Sequence, residues 1–390
     1  MAKRIFSLFI LTVLLFSCLP TALAVDTPNP IPVVEKENRT PTTKGVHHYM
    51  LICVDSWDAK ASFAKKQWGN HTDGLILVTV DENAQRVMLT SFIRDMLIQR
   101  PDGKFGRINN FLDVGGWCYE NGKTYNEGFH ALVETINGHF DLNIEKFIVV
   151  DFRQVENIIN AVGGVDISIT EREANYLTGY PISASSTSPA INITNHKVID
   201  PSTGAQMRDP TTGKFVYRNY TYHFSGHAAV IYMRIRKVHT EEYLHADGRK
   251  YADTQDYGRT YRDRMVLTSI ADSLKDISYD DALKLLDVII ANTVYTNMTI
   301  DDLFAAVELA MRMKSNPVES IRMPVSNPSK QKDTGEWYEI SPTIESYNKN
   351  NYSYCEFAYD RMATKQVNFE LNREALKNFL NDNFVVVDDE

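Results

Sequence analysis

The sequence predicts an α/β domain in which helices pack over a central, largely buried sheet. Three observations carry this. Short apolar runs ending in aspartate recur ("HYMLICVD", "GLILVTVD", "EKFIVVD"), and segments of helical period such as "FRQVENIINAV" stand between strand patterns. Hydrophobic residues make up 43% of the 390 residues and charged ones 23%, a globular balance rather than a disordered one.

Taken in order, residues 25–45 are polar and Pro-rich and read as a tether, and the folded part begins near Val46. "RVMLTSF" follows the second strand after "ENAQ", which predicts a hairpin. "YNEGFHALVETINGHF" is an amphipathic helix, and "FRQVENIINAV" is a helix ended by Gly163 and Gly164 before the strand "VDISI". Residues 178–221 lose apolar periodicity and read as a long excursion from the core that could cover a site, with no internal repeat anywhere in the chain. Helices follow at "SGHAAVIYM", opened by Ser225, and at "YGRTYRDRMVLTSIADSLKDI", "YDDALKLLDVIIANTV", "TIDDLFAAVELAMRMK" and "NREALKNFLND". The terminal "VVVDDE" reads as a solvated tail.

The N-terminus joins Lys3 and Arg4 to the apolar "IFSLFILTVLLFS" and to "TALAV", where Ala22 and Ala24 fit signal cleavage. Cleavage, lipidation at Cys18 and retention as a short membrane anchor are all open, and each places the body outside the cytoplasm, on the cell envelope. A formal charge of -9 argues against a general nucleic-acid binder, so any basic site must be local. Cys53 reads as a small buried hydrophobe, and Cys118 and Cys355 can pair in an oxidising compartment. No cysteine spacing suggests zinc.

Arginines crowd between 234 and 264. Arg234 and Arg236 leave the apolar run "AAVIYM" two residues apart, so on extended backbone they share one face, and two guanidiniums at the end of a buried element need anions. Arg259, Arg262 and Asp263 fall on neighbouring positions of one helix, while Arg264 reads as part of its solvated face. Asp55 ends one strand and Asp73 begins the next, a pairing suited either to capping loops or to a hard divalent cation. "SFIRDM" adds Arg94, and Arg86 stands at the other end of that strand pattern. Carboxylates with arginines suit phosphoryl transfer, and no P-loop, HExxH or GxSxG motif offers a different chemistry.

The order "LICVDS", "HTDGLILVTVD", "RVMLTSFIRDM", "GRINNFLDVGG", "FIVVDFRQVENIINAVGGVDISI", "FSGHAAVIYMRIRK", "DYGRTYRDR" resembles the LytR-CpsA-Psr family of bacterial envelope proteins, over about residues 46–275. The resemblance implies a three-layer α/β/α sandwich with a central mixed sheet. It also implies a phosphotransferase that moves a glycopolymer, such as a teichoic acid or capsular polysaccharide, from a polyprenyl diphosphate carrier to peptidoglycan and releases polyprenyl phosphate. The partners it implies are this lipid-linked polymer, the peptidoglycan acceptor and the membrane surface, with the lipid chain in an apolar pocket and no nucleic acid. Carried over by position, Asp55 and Asp73 resemble ligands of magnesium, or of manganese in its place. Arg86, Arg94, Asn109, Arg234, Arg236, Arg259 and Asp263 resemble the diphosphate contacts, with Arg94, Arg234 and Arg236 in catalytic roles and Asp256 placed to orient an arginine or take the acceptor's proton. The implied layout is a signal or anchor at 1–24, a linker at 25–45, the catalytic domain at 46–325 with its insertion at about 178–221, and a C-terminal extension at 326–390 packed on the same domain. The sequence departs from the family pattern at "HTD", at "FIRD", at Asp263 and at Trp57, changes that subtract positive charge. A diphosphate hydrolase and a non-catalytic polyprenyl-lipid binder are the competing readings.

Overall fold

In the computed structural model, residues 33–66, 71–94, 96–100, 103, 105–113, 115–120, 123–178, 191–236, 238, 242–244, 250–252, 255–323, 329–331, 369–381 and 384–386 are described. The N-terminal apolar segment and Cys355 lie outside them, and with Cys355 the question of whether it pairs with Cys118.

Alternation in "VHHYMLICV" puts Met50, Ile52 and Val54 on one face of strand β1 (Val46–Val54), each fully buried. β1 pairs antiparallel with β2 (Thr72–Asp81), and β2 pairs antiparallel with β3 (Arg86–Phe92), the hairpin expected around "ENAQ". β4 (Lys146–Asp151) runs parallel to β1 on its other side. Outside this sheet, β5 (Val165–Ile169) and β6 (Tyr220–Phe224) form a separate antiparallel pair. β7 (Tyr295–Thr296) pairs antiparallel with β4, and β8 (Val318–Met323) pairs parallel with β3. The central sheet therefore has six strands of mixed direction, in the order β7-β4-β1-β2-β3-β8.

Helix α1 (Gly128–Phe140) packs on the face of the sheet that holds Met50, Leu77 and Phe147. Helix α2 (Phe152–Ala161) starts directly from β4 because Asp151 and Gln154 form a reciprocal capping box. Then come α3 (Glu171–Thr178), α4 (Gly226–Met233) capped by Ser225 as expected, and α5 (Gln255–Ser273). α6 (Tyr279–Ala291) and α7 (Ile300–Met313) are capped by Ser278 and Thr299, and α8 (Phe369–Leu380) closes the series. α8 joins α1 on the first face, where Phe369 meets Phe140 edge-on with ring centroids 5.5 Å apart. Each such buried ring contributes about 1.5–3 kcal/mol. α2 and α4 to α7 cover the other face, which completes three layers.

Three expectations are corrected here. Arg264 is buried, not solvated: its guanidinium bonds to Ser91 Oγ of β3 and to Ser320 Oγ of β8, tying α5 to the sheet edge. Within the expected solvated tail, Phe384–Val386 forms a strand paired with Ser329–Gln331. The excursion also contains a short repeat: the turns "DPSTG" at 200–204 and "DPTTG" at 209–213. In both, the aspartate carboxylate accepts backbone N–H groups of the turn and the glycine has positive φ.

Candidate functional site

β1 ends, β2 begins and β3 ends at the same rim of the sheet, because β2 is antiparallel to both neighbours. The register of β1 and β2 shifts there. Cys53 opposes Gly74 and Val54 opposes Thr72, so Asp73 is an extra residue in a β-bulge. A bulge re-aims a side chain, and this one turns Asp73 toward the helices. A Cβ on Gly74 would lie 3.0 Å from Cys53 Cβ, so the close strand approach beside the bulge favours glycine. The Asp55 N–H donates to the His71 carbonyl at 2.8 Å and holds the strand ends together beyond the ladder.

Three guanidiniums converge on Asp73. Arg94 Nη1 donates to Oδ1 at 2.6 Å, Arg259 Nη1 to Oδ2 at 2.8 Å, and Arg236 Nη2 to Oδ2 at 3.5 Å, while Arg259 Nη2 also bonds the Asp73 carbonyl. Asp73 and Arg259 are buried, Arg94 is mostly buried and Arg236 is partly exposed. Burial alone would push the Asp73 carboxyl up; the charges of Arg259, Arg94 and Arg236 outweigh it and hold the group below the usual carboxylate range.

Asp55, Asp73, Tyr176, Ile231, Arg234, Arg236 and Arg259 line one cavity of about 330 Å³. Arg234 is not on extended backbone, as the sequence reading had it, but is the C-cap of α4, with Ile235 fully buried beyond it. Its guanidinium lies 4.6 Å from the ring centroid of Phe152 and 5.9 Å from that of Trp57, within cation–π range of both. With Arg94, four guanidiniums and two carboxylates gather at this cavity.

A second cavity, of about 100 Å³, shares Asp73, Arg234 and Arg259 with the first. Its walls are apolar, with Leu51 and Ile76 from the sheet, Val155 from α2, Val230 from α4, and Leu267 and Ile270 from α5. Cys53 lines it too, and burial, followed by the fields of Asp263 and Asp73, pushes the thiol well up and keeps it protonated. Asp263, one turn beyond Arg259, also lines this apolar cavity rather than the polar one.

The other expected residues are placed as follows. Arg86 is a correction: it stands at the opposite end of β3, six residues and about 20 Å from that strand's last residue. There it bonds Glu319 at 2.6 and 2.8 Å and the Phe379 and Leu380 carbonyls at 3.1 Å, so it anchors the end of α8 to the sheet. Asn109 is buried and does not line the polar cavity; its backbone N–H donates to the Arg94 carbonyl at 3.0 Å and so positions that arginine. Asp256 lies in the first turn of α5, with its side chain outside the description. Arg262 is fully buried and faces away from the site. It pairs with Glu173 at 2.7 Å and donates to the Ile235 and Val238 carbonyls, both at 2.9 Å, which fixes the segment carrying Arg236. Sequence reasoning missed Tyr176, Ile231 and the Trp57–Phe152 clamp; "VDSW" and "VVDFR" were the available signals, since each puts an aromatic within two residues of a strand-end aspartate.

These features define an α/β protein with a cation-rich cavity beside an apolar one. The chain belongs to the LytR_cpsA_psr family, whose family model matches residues 33–353. It is 22% identical over 253 residues to "Biofilm regulatory protein A" of Streptococcus mutans, covering 64% of this chain and 50% of that protein. It is 22% identical over 263 residues to the "Polyisoprenyl-teichoic acid--peptidoglycan teichoic acid transferase TagV" of Bacillus subtilis, covering 66% and 53%. The matched region thus spans about half the length of these curated relatives. Among solved structures, "TagT bound to LI-WTA" aligns with a TM-score of 0.51 at 16% identity, covering 90% of this chain and 96% of that one. "TagT bound to LIIa-WTA" gives the same score and identity over 93% and 99%. These structures share the fold, a mixed six-stranded sheet between helical layers. Among the described residues no helix is long and apolar enough to cross a membrane.

Proposed function

We propose that the chain is a phosphotransferase that moves a glycopolymer from a polyprenyl diphosphate carrier to peptidoglycan on the cell envelope. The observation that carries this reading is the convergence of Arg94, Arg236 and Arg259 on Asp73, where a cation-rich cavity meets an apolar one. The diphosphate occupies the polar cavity and the lipid enters the apolar one. At about 100 Å³ the latter is small for a long isoprenoid, so binding entails widening between α5 and the sheet.

The acceptor hydroxyl attacks the phosphorus that bears the polymer. The new P–O bond forms as the bond to the bridging oxygen breaks, polyprenyl phosphate leaves, and the hydroxyl proton passes to a base, the role assigned to Asp256. Arg94, Arg234, Arg236 and Arg259 stabilise the charge that develops on the phosphates, and the Trp57–Phe152 clamp holds Arg234 in place. Asp55 and Asp73 offer hard oxygen donors suited to magnesium or manganese. Among the described residues no group of three or more His, Cys, Asp or Glu could hold a metal, so such a cation would depend on the substrate's phosphate oxygens. When bound it supplies charge neutralisation.

The test mixes the full chain with a labelled lipid-linked glycopolymer, peptidoglycan and magnesium. Covalent transfer is expected. Release of lipid phosphate without acceptor would instead make the protein a hydrolase, and neither event would make it a binder. Arg94→Ala and Arg236→Ala should each lower the transfer rate by about 100-fold. Unchanged rates in both would reject the site.

A further inference from the structure

Of the nine exposed large hydrophobic side chains among the described residues, five lie between positions 199 and 220: Ile199, Met207, Phe215, Tyr217 and Tyr220. The first four sit on a knob built from the two repeated turns. Pairing of Lys197 with Tyr217, Ile199 with Gln206 and Arg208 with Phe215 links three short extended segments. Partners in antiparallel pairs share a face, and so do residues two apart, which puts Lys197, Ile199, Gln206, Arg208, Phe215 and Tyr217 on one side. None of the six is buried. The knob is held firmly at its base. The Arg218 N–H donates to the His196 carbonyl at 2.8 Å, and the buried His196 ring bonds the Arg218 carbonyl at 2.9 Å and stacks on Tyr222.

Its charge runs against that of the chain. Residues 197–218 carry Lys197, Arg208, Lys214 and Arg218 against only Asp200 and Asp209, in a protein of net charge -9. Both aspartates are turned into their own turns, where hydrogen bonds from Ser202, and from the Thr211 and Thr212 N–H groups, lower their pKa. The apolar face therefore has cations beside it and no carboxylate on it. The Arg208 guanidinium lies 3.8 Å from the Phe215 ring centroid, which keeps the charge at the level of the apolar surface.

We propose that the 197–218 knob is a membrane-docking surface that seats Ile199, Phe215 and Tyr217 among the acyl chains and headgroups of an anionic phospholipid bilayer. Exposed apolar patches mark interaction sites, aromatic rings favour the membrane interface, and each Lys or Arg beside an anionic surface strengthens binding about fivefold. A glycan platform would suit the rings, but not the exposed aliphatic Ile199 or the excess of cation. The proposal does not depend on transferase activity.

The test uses the full chain with Phe215→Trp, an exposed position that accepts the ring without repacking, and compares its emission with that of the parent chain. Vesicles of phosphatidylcholine alone are set against phosphatidylcholine mixed with phosphatidylglycerol, with and without brominated acyl chains. The expected result is a blue shift of the introduced indole and its quenching by bromine on the anionic vesicles. Adding Arg208→Gln and Lys214→Gln should weaken that signal's binding curve by about fivefold for each cation lost. The proposal is overturned if the chain sediments with vesicles while the indole keeps its water-exposed emission, or if no binding occurs. It is equally overturned if the indole responds to soluble peptidoglycan fragments and not to vesicles.

Discussion

Replacing Arg262 with methionine removes a fully buried guanidinium while keeping most of its apolar bulk. Three acceptors lose their donor: the Glu173 carboxylate, whose side chain is 3% exposed, and the Ile235 and Val238 carbonyls. Breaking a buried ion pair from one side costs about 3–5 kcal/mol, because the remaining charge is stranded away from water. For a domain of this size that corresponds to a fall in Tm of roughly 6–20 °C, at about 2–4 °C per kcal/mol. The double variant Arg262→Met/Glu173→Gln removes the stranded charge but keeps an acceptor for the Thr170 N–H and hydroxyl that Glu173 serves. Only the carbonyls then remain short of a donor, at about 1–3 kcal/mol. Urea unfolding of both variants should therefore place the double above the single. Affinity for a diphosphate lipid should fall in the single as residues 235–238, next to Arg234 and Arg236, lose their tether. If the double variant proves no more stable than the single, stranded charge is not what the pair prevents, and the reasoning fails.

Gly74→Ala should destabilise by about 1–3 kcal/mol and weaken diphosphate binding, since the new methyl meets Cys53 Cβ at 3.0 Å beside the bulge. Cys53→Ala should not relieve it, because Cβ is retained, whereas Cys53→Gly should; equilibrium unfolding of the doubles decides. Trp57→Ala should loosen Arg234 and reduce diphosphate affinity about two- to fivefold in titration calorimetry, matching a loss of about 0.5–1 kcal/mol. The buried His139 has its pKa lowered by desolvation to about 4, against 6.5 when unfolded. Between those values the unfolded state binds the extra proton, so stability should decline as pH falls from 6.5 to 4, by about 3 kcal/mol from this group. Melting curves across that window should flatten in His139→Gln.

The first strands and the longer helices were legible in advance from their apolar period, with Ser225 marking the start of its helix, whereas the helix Glu171–Thr178, the strands Tyr220–Phe224 and Val318–Met323 and the paired strands Trp117–Glu120 and Lys123–Asn126 were not read. The gathering of Asp55, Asp73, Arg94, Arg234, Arg236 and Arg259 was also legible, through motif order. What the sequence hid were choices made by distant partners. Nothing local to Arg86 says that the terminal carbonyls of a helix 293 residues away will claim it. Nothing local to Arg264 distinguishes it from a solvated helix arginine until Ser91 and Ser320 are brought beside it. Asp263 follows Arg259 by one turn, which predicted company in the site, but that turn carries it along the helix past the polar cavity.

The irregularity at Asp73 has a consequence for how the connection before it can vary. In a regular ladder, gaining or losing one residue upstream would flip every later side chain to the other face. Here the odd residue is absorbed where it occurs, and the Asp55–His71 bond closes the segment at its base. Residues 58–66 can therefore change in number or composition without rotating the carboxylate that three arginines hold.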